Sequence, residues 1–317
     1  MRLATFLAAA AFLGAPSAFA EWPDKPIHFV VPFGPGGAND LIARSAAEAV
    51  SKRIGQPVII DNKPGAGTII GSDFVAKAKP DGYTFLIGAA PLVTNSAVRK
   101  TMPYQDSDLV PVGMIAVAPS VIVAHPSVPA KDLKEFIAWS KTQKDGVNWS
   151  TAGGATTPHF VAEMLKEYGA NLAVVPYKSG SEGVTAVISN NVSGTSEASI
   201  VVIPQIKAGK LKALATTYDT RITAYDSLQT TKEAGFPNVR IGHWAALFAP
   251  KGTPQPVIDR MSTELQAAMK SAEVREKLVP QGIEPMPTSL PEFVKWYQDE
   301  RERLVRIAKK SKMTIDE

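Results

Sequence analysis

The stretch IHFVVPFGPGGAND, residues 27–40, decides the fold predicted for this chain. An apolar run of strand length ends in Pro and Gly, and a helical pattern begins at once, with Asn39 or Asp40 as the N-cap. The stretch therefore predicts a strand, a tight glycine turn and a helix. Because the three glycines have no Cβ, a ligand can approach the backbone, and the positive end of the helix favours an anion such as a carboxylate. The alternative, that the glycines only allow the chain to turn, stays open.

Strand and helix patterns alternate along the rest of the chain, which is typical of parallel sheets with crossover helices. Residues 147–168 repeat the opening unit of strand, small-residue turn and helix. Two β-like runs, 114–124 (interrupted at Pro119) and 239–249, are predicted to cross between two lobes. We expect an α/β fold in which each lobe is a mainly parallel sheet flanked by helices, with a ligand cleft beyond the carboxyl ends of the strands. The predicted bounds are 21–122 and 239–317 for lobe 1 and 123–238 for lobe 2.

The first twenty residues have the pattern of a cleaved secretory signal peptide. Arg2 precedes an almost wholly apolar run, residues 3–13, and SAFA at 17–20 places small residues before a cut after Ala20. A membrane anchor is the weaker alternative, because this run is too short to span a bilayer. The chain has no cysteine, which excludes disulfides and thiol chemistry from an exported protein.

Composition and motifs disfavour several other classes. The net charge of +4 over 317 residues, without a dense basic block, gives no support to nucleic-acid binding. Nucleotide fingerprints, the G-x-S-x-G elbow and the H-E-x-x-H zinc motif are all absent from the sequence. We therefore expect neither cofactor nor metal. Among the four histidines, His159 at a helix start and the pair His243-Trp244 have either a cleft or a packing role, whereas His28 and His125 are expected to be structural or on the surface.

Ordered motifs along the whole mature chain resemble the Bug family, the periplasmic receptors associated with tripartite tricarboxylate transporters. The matching stretches are WPDKPI (22–27), VVPFGPGG (30–37) with Asp40, GQPV (55–58), NKPGAG (62–67), PDGYT (80–84), VPYK (175–178), IKAGKL (206–211), EAG (233–235) and APKGTP (249–254).

The resemblance implies a two-lobe periplasmic binding protein of the type II, Venus-flytrap kind, without catalytic activity. It implies a small carboxylate ligand, delivery to the membrane components of a tripartite tricarboxylate-type transporter, and a periplasmic, monomeric protein. In this family carboxylates are held mostly by backbone amides, small hydroxyls and water. With the residues already argued, the predicted ligand-binding set is Phe33, Gly34, Pro35, Gly36, Gly37, Ala38, Asn39, Asp40, Ala89, Ala90, Ser150, Thr151, Ala152, Gly153, Gly154, Thr156, Thr157, His159, Ser179, Glu197, His243 and Trp244.

One departure from the family pattern bears on the ligand. Where many members have an Asp-Asn pair, this chain has Ser196-Glu197-Ala198. Glu197 either meets a ligand amino or hydroxyl group or faces solvent, which leaves di- and tricarboxylates, aromatic acids and acidic amino acids open. Two other functions also stay open: a sensor that presents its ligand to a membrane kinase, and an enzyme on the same architecture.

Overall fold

The computed structural model describes residues 22–153 and 156–313, and these ranges contain ten strands and ten α-helices. The predicted signal peptide and Gly154 lie outside the described residues. The strands are β1 (Ile27–Val31), β2 (Val58–Asn62), β3 (Thr84–Gly88), β4 (Leu109–Ala124), β5 (Val147–Thr151), β6 (Leu172–Pro176), β7 (Gly194–Ala198), β8 (Lys212–Thr216), β9 (Gly242–Pro250) and β10 (Glu284–Pro285). The helices are α1 (Ala38–Ile54), α2 (Ile69–Ala76), α3 (Ala90–Val98), α4 (Leu133–Ser140), α5 (Thr157–Glu167), α6 (Gly180–Ile188), α7 (Ser199–Lys207), α8 (Gln255–Lys270), α9 (Ala272–Leu278) and α10 (Leu290–Lys310).

The strands run in the order β2-β1-β3-β9-β4-β7-β5-β6, with β10 and β8 also paired to β4. At one end β2, β1 and β3 are parallel, and at the other end β6, β5 and β7 are parallel. The central pairings, β3 with β9 and β4 with β9, β7, β8 and β10, are antiparallel. The sheet of each lobe is therefore mixed, since parallel neighbours need crossover helices and only the outer strands are joined in that way.

The long strand β4 joins the two lobes. Its first part pairs with β9 as far as Pro119, and its last part, from Ser120, pairs with β7 and β8. Pro119 was expected to interrupt the strand. The strand stays continuous because Pro119 lies where the partners of β4 change from β9 to β7 and β8. The N–H that proline lacks therefore removes little hydrogen bonding from the sheet.

The return between the lobes differs from the predicted second crossing strand. The chain leaves β8 at Thr216 and passes through the irregular segment 217–241 before β9 begins. The first residue of β9, Gly242, pairs with Pro119, so β9 lies entirely within the first lobe's sheet. The predicted domain bounds at 122/123 and 238/239 remain a prediction.

Helices cover both faces of the first sheet, as expected for buried parallel strands. Apolar side chains of α1, α8 and α9 pack on one face, and those of α3 and α10 pack on the other. The apolar cluster on the second face continues into the other lobe, where α4 and α5 contribute Phe136 and Phe160. No helix of the described ranges is both long and apolar enough to cross a membrane.

Candidate functional site

A cavity of about 630 Å³ opens where loops of the two lobes face each other. Its wall contains most of the predicted ligand-binding residues: Phe33, Gly34, Pro35, Gly36, Gly37, Ala38, Asn39, Ala89, Ala90, Ala152, Thr156, Thr157, Ser179, Glu197 and His243. Six of the predicted residues do not line it: Asp40, Ser150, Thr151, Gly153, His159 and Trp244.

The wall also contains residues that were not in the predicted set: Pro32, Pro64, Gly65, Ala66, Gly67, Thr68, Pro91, Asn95, Pro158, Lys178, Gly180, Ser181 and Val201. The segments 64–68 and 178–181 follow β2 and β6, which are parallel neighbours of β1 and β5. Because the carboxyl ends of parallel strands meet at one edge of a sheet, this rule identifies both segments once the strands are known.

Asp40 stabilises the turn between β1 and α1, and its side chain is buried. Its carboxylate accepts hydrogen bonds from the backbone N–H of Gly36 at 2.9 Å, from Arg44 Nε at 2.9 Å and from Asn62 Nδ2 at 2.9 Å. Asn62 Nδ2 also donates to the carbonyl of Phe33 at 3.0 Å. Asp40 therefore shapes the wall of the cavity without lining it.

The pKa of Asp40 results from opposing effects. Burial raises it, but the hydrogen bonds from Arg44, Gly36 and Asn62, together with the charge of Arg44, outweigh burial and leave the pKa below its ordinary value. The carboxylate is accordingly ionised and paired, and its negative charge is offset by the guanidinium of Arg44.

Helix N-termini converge on the cavity. The N-cap and first residues of α1 (Gly37, Ala38), α3 (Ala89, Ala90) and α5 (Thr156, Thr157) all line it, and none of these three helices has a side-chain cap. Of the helices that begin elsewhere, α4, α9 and α10 are capped by Asp132, Ser271 and Ser289, whereas α8 has no side-chain cap. The first N–H groups of a helix lack intrahelical partners and carry partial positive charge, so these three ends form an anion-binding environment.

The loop after β2 has a strained backbone at the cavity wall. Gly65, Ala66, Gly67 and Thr68 all have positive φ, of 131°, 47°, 62° and 82°. Asn95 Nδ2 donates to the carbonyl of Gly67 at 2.7 Å. Consecutive left-handed residues, two of them not glycine, cost free energy that the surrounding contacts must offset, and such strain is often found at binding sites.

Glu197 and His243 form the buried ionisable part of the wall. Glu197 is 8% exposed, and its Oε1 accepts the backbone N–H of Ala198 at 2.8 Å. His243 Nε2 lies 3.3 Å from the same oxygen but has no aligned hydrogen bond. Burial lowers the pKa of His243, and the charge of Glu197 opposes that shift only in part.

Trp244 lies in the apolar core and does not line the cavity. It is 1% exposed, and its ring packs edge-on against Trp296, with ring centroids 5.6 Å apart, and against Tyr297, at 6.1 Å. Alternation along β9 accounts for this, because successive side chains point to opposite faces of a sheet. The neighbouring His243 faces the cavity instead.

The remaining predicted residues of the second lobe lie behind the wall. Ser150 and Thr151 end β5 as buried residues whose hydroxyls have no hydrogen-bond partner. His159 Nε2 lies 3.9 Å from Glu163 Oε1, and burial lowers the pKa of His159. Within the described ranges no group of three or more His, Cys, Asp or Glu residues is arranged to hold a metal ion.

Comparisons with known proteins agree with this architecture. A UPF0065 protein of Bordetella pertussis is 36% identical over 305 residues, which cover 95% of this chain and 94% of that protein. The solved periplasmic binding protein BugD superimposes with a TM-score of 0.82 at 31% identity, covering 92% of this chain and 99% of BugD. An R. palustris protein solved with adipate superimposes with a TM-score of 0.86 at 30% identity, covering 93% of this chain and 99% of that protein.

These similarities confirm the resemblance inferred from the ordered motifs and the two-lobe periplasmic-binding-protein fold. The model of the tripartite tricarboxylate transporter family receptor matches residues 42–313. That match covers most of the sequence and describes receptors, not enzymes. The chain therefore belongs to the tripartite tricarboxylate transporter receptor family.

Proposed function

We propose that this chain is a periplasmic solute-binding receptor that captures a small carboxylate between its lobes. It delivers that solute to the membrane components of a tripartite tricarboxylate-type transporter. The ligand class is a di- or tricarboxylate, an aromatic acid or an acidic amino acid. We further propose that the protein acts as a monomer and reaches the periplasm by cleavage after Ala20, so that N-terminal sequencing of the exported protein begins at Glu21.

The observation that carries the proposal is the convergence of three uncapped helix N-termini, those of α1, α3 and α5, on one cavity. At α3 and α5 the second residue is a proline and the third N–H already bonds to the N-cap carbonyl, so the donors left at these ends belong to the N-cap and first residues. A carboxylate supplies an acceptor with the preferred charge. The cavity volume lies within the range of small-molecule sites. The R. palustris protein was solved with adipate, which supports a carboxylate as the ligand.

The absence of a buried arginine from the described wall fits this mode of binding. Several partial charges on fixed N–H groups bind an anion without the loss of side-chain entropy that a long basic side chain would undergo. Thr157, Ser179 and Asn39 add short polar groups that can donate to ligand oxygens or to bridging water, whereas the hydroxyl of Thr156 already donates to the carbonyl of Gly153 at 2.7 Å.

The ligand class is tested by a thermal-shift screen of small carboxylic acids against the corresponding neutral amides. We expect the acids to raise the melting temperature and the amides to leave it unchanged, since a ligand at a hundred times its Kd stabilises the folded state by about 2.7 kcal/mol. Equal stabilisation by an acid and its amide would contradict binding of the anion.

The transport role is tested in cells. Uptake of the radiolabelled acid that gives the largest thermal shift is compared in cells with and without the gene for this chain. We expect uptake to depend on the gene and to be restored by the wild-type copy. Binding of the acid without any effect on its uptake would contradict delivery to a transporter and would favour a ligand-presenting sensor.

A further inference from the structure

The carboxylate of Glu197 occupies a second cluster of helix N-termini in the same cavity. Its Oε1 accepts the N–H of Ala198, the N-cap of α7. Its Oε2 lies over Gly180, the first residue of α6, so closely that a Cβ on Gly180 would be 1.8 Å away. An anion that the chain itself provides thus bonds to the N-cap of α7 and lies against the first residue of α6.

The two groups of helix N-termini differ in which negative group neutralises their partial positive charge. At α6, Ser179 caps the helix by accepting the N–H of Glu182, and Glu182 Oε2 accepts the N–H of Lys178. At α1, the acidic side chain of the first turn, Asp40, faces away from the cavity and is paired with Arg44. An incoming carboxylate is thus attracted to the ends of α1, α3 and α5 and meets a negative charge at those of α6 and α7.

The charge of Glu197 is not offset by a strong cation beside it. The basic group within ion-pair distance is His243, whose pKa burial holds below its ordinary value, so the ring is neutral at pH 7. Lys178 also lines the cavity, but its side chain is exposed. Water and salt screen an exposed ammonium much more than they screen a buried carboxylate. The buried charge therefore dominates at this end of the cavity.

We propose that Glu197 makes the cavity selective for a ligand that has one carboxylate and, at its other end, a hydrogen-bond donor such as a hydroxyl or ammonium group. This inference rests on the proposed function, because it assigns the second half of the same site, and it narrows the proposed ligand classes by disfavouring di- and tricarboxylates. The ligand carboxylate is bound by the ends of α1, α3 and α5, and its distal donor bonds to Glu197. A second carboxylate in that position faces an unpaired like charge in a partly desolvated wall, which discriminates strongly between ligands.

The test measures binding of matched acids by isothermal titration calorimetry at pH 7.5. The probes are succinate and adipate, each compared with the ω-hydroxy and ω-amino monocarboxylate of the same carbon number. The two monocarboxylates distinguish a hydroxyl from an ammonium as the donor. We expect the wild-type protein to bind at least one monocarboxylate more tightly than the matching dicarboxylate.

The decisive variant is Glu197→Gln, which keeps the size of the side chain and removes its charge. We expect it to raise the affinity for the dicarboxylate relative to that for the matching monocarboxylate by at least about tenfold. Glu135→Gln, an exposed position on the same lobe, removes the same charge away from the cavity and should leave the ratio at the wild-type value.

Gly180→Ala provides a second variant that leaves Glu197 in the sequence. The three atoms nearest to the added Cβ all belong to Glu197, and the end of that flexible side chain moves more easily than the backbone. Displacement of the carboxylate should shift the ratio in the same direction as Glu197→Gln. In the double variant the two changes should not add, since both act through one group.

The outcomes separate this inference from the function on which it rests. Tighter wild-type binding of the dicarboxylates, or a ratio that Glu197→Gln leaves unchanged, overturns the selectivity and leaves carboxylate binding intact. Failure of every acid to bind the folded wild-type protein overturns both. A lower relative affinity for the dicarboxylate in Glu197→Gln also contradicts the inference, because it would mean that Glu197 favours the second carboxylate.

Discussion

Asp40 shows how one buried carboxylate can set the shape of a ligand-binding turn. Its three donors come from the turn itself, from α1 and from the end of β2, so it ties together the first two strand–loop units. Sequence reasoning selected Asp40 because acidic and amide residues often begin helices. The position of its side chain at the turn depends on a hydrogen bond from Asn62, which is twenty-two residues away. No local sequence pattern predicts that contact.

Asp40→Asn should destabilise the fold by about 3 kcal/mol at pH 7, because an amide NH₂ would replace an oxygen that accepts buried hydrogen bonds. The pKa of Asp40 is lowered in the folded protein, so its contribution is fully present above the unfolded value of about 4 and is lost as pH falls through the folded one. Urea denaturation at several pH values measures this difference. Asp145→Asn, at an exposed position, is the control, and equal effects of both variants at pH 7 would contradict the role of Asp40.

His243 should make stability depend on pH in a higher range. Burial lowers its pKa in the folded protein, so the unfolded chain binds a proton more readily and stability falls as pH drops below about 6.5. One proton accounts for at most about 1.4 kcal/mol per pH unit. His243→Gln should flatten the denaturation profile between pH 6.5 and 5, and His125→Gln, outside the cavity, should not. An unchanged profile in His243→Gln would disprove the effect.

At the scale of the elements, the turn between β1 and α1 allows a test with a closely matched control. Gly36 and Gly55 both have positive φ, 81° and 71°, and neither would have an atom within 4 Å of an added Cβ. Gly36 lines the cavity, whereas Gly55 ends α1 and does not.

Gly36→Ala and Gly55→Ala should each destabilise the fold by about 1 kcal/mol, through the same left-handed strain. Only Gly36→Ala should weaken binding of the acid with the largest thermal shift, by about tenfold or more, because its methyl group enters the space where the ligand meets the backbone. Calorimetry on both variants separates strain from ligand contact. Equal affinities would show that the turn does not contact the ligand.

Elements with regular apolar patterns were predictable, and β7 with α7 was not. The strand sequence GTSEA, residues 194–198, is completely buried although three of its five residues are polar. Thr195 Oγ1 donates to the carbonyl of Ser150 at 2.8 Å, and Ser196 Oγ bonds to Ser120 Oγ, so hydrogen bonds from other strands make this burial possible. Contacts with other strands determine that such a segment forms a strand, and hydrophobic periodicity does not predict it.

At the scale of the whole molecule, alternating strands and helices predicted two lobes and the edge at which their loops meet. The run 114–124 was predicted to cross between them and does so within β4, but the second predicted crossing, 239–249, does not occur, because β9 stays in the first lobe. Where β9 ends depends on its pairing with β4, and no local sequence pattern predicts pairing between residues more than a hundred positions apart. The sequence likewise indicated an anion at one glycine turn, while the convergence of several helix ends emerged only from the assembled sheet.

The lobes are joined by the apolar cluster that continues from one to the other and by polar contacts beside β4. At the point where β4 changes partners, the carbonyl of Ser120 accepts hydrogen bonds from Thr217 N at 2.9 Å, Thr217 Oγ1 at 3.2 Å and Thr216 Oγ1 at 3.2 Å. The single hydroxyl proton of Thr217 is shared between this carbonyl and that of Ile241, both of which lie within hydrogen-bond distance of Oγ1. The outgoing and returning chains are thus hydrogen-bonded to each other at Ser120, and rotation of one lobe about this point would open or close the cavity.

Ligand binding should therefore close the lobes about Pro119 and Ser120, because each lobe contributes part of the cavity wall and neither part encloses a small molecule alone.

Since the chain has no cysteine, spin labels can be attached at Lys79→Cys in the first lobe and Lys144→Cys in the second. The distance between the labels should shift on addition of the binding acid, with a smaller radius of gyration in small-angle scattering. A pair within the first lobe, Lys79→Cys with Glu276→Cys, should keep its distance. Trp244 would be a poor reporter, because its ring is in the core and contacts Trp296 rather than ligand. Saturating binding without a change in either measurement would refute closure and would leave a preformed, rigid cavity as the alternative.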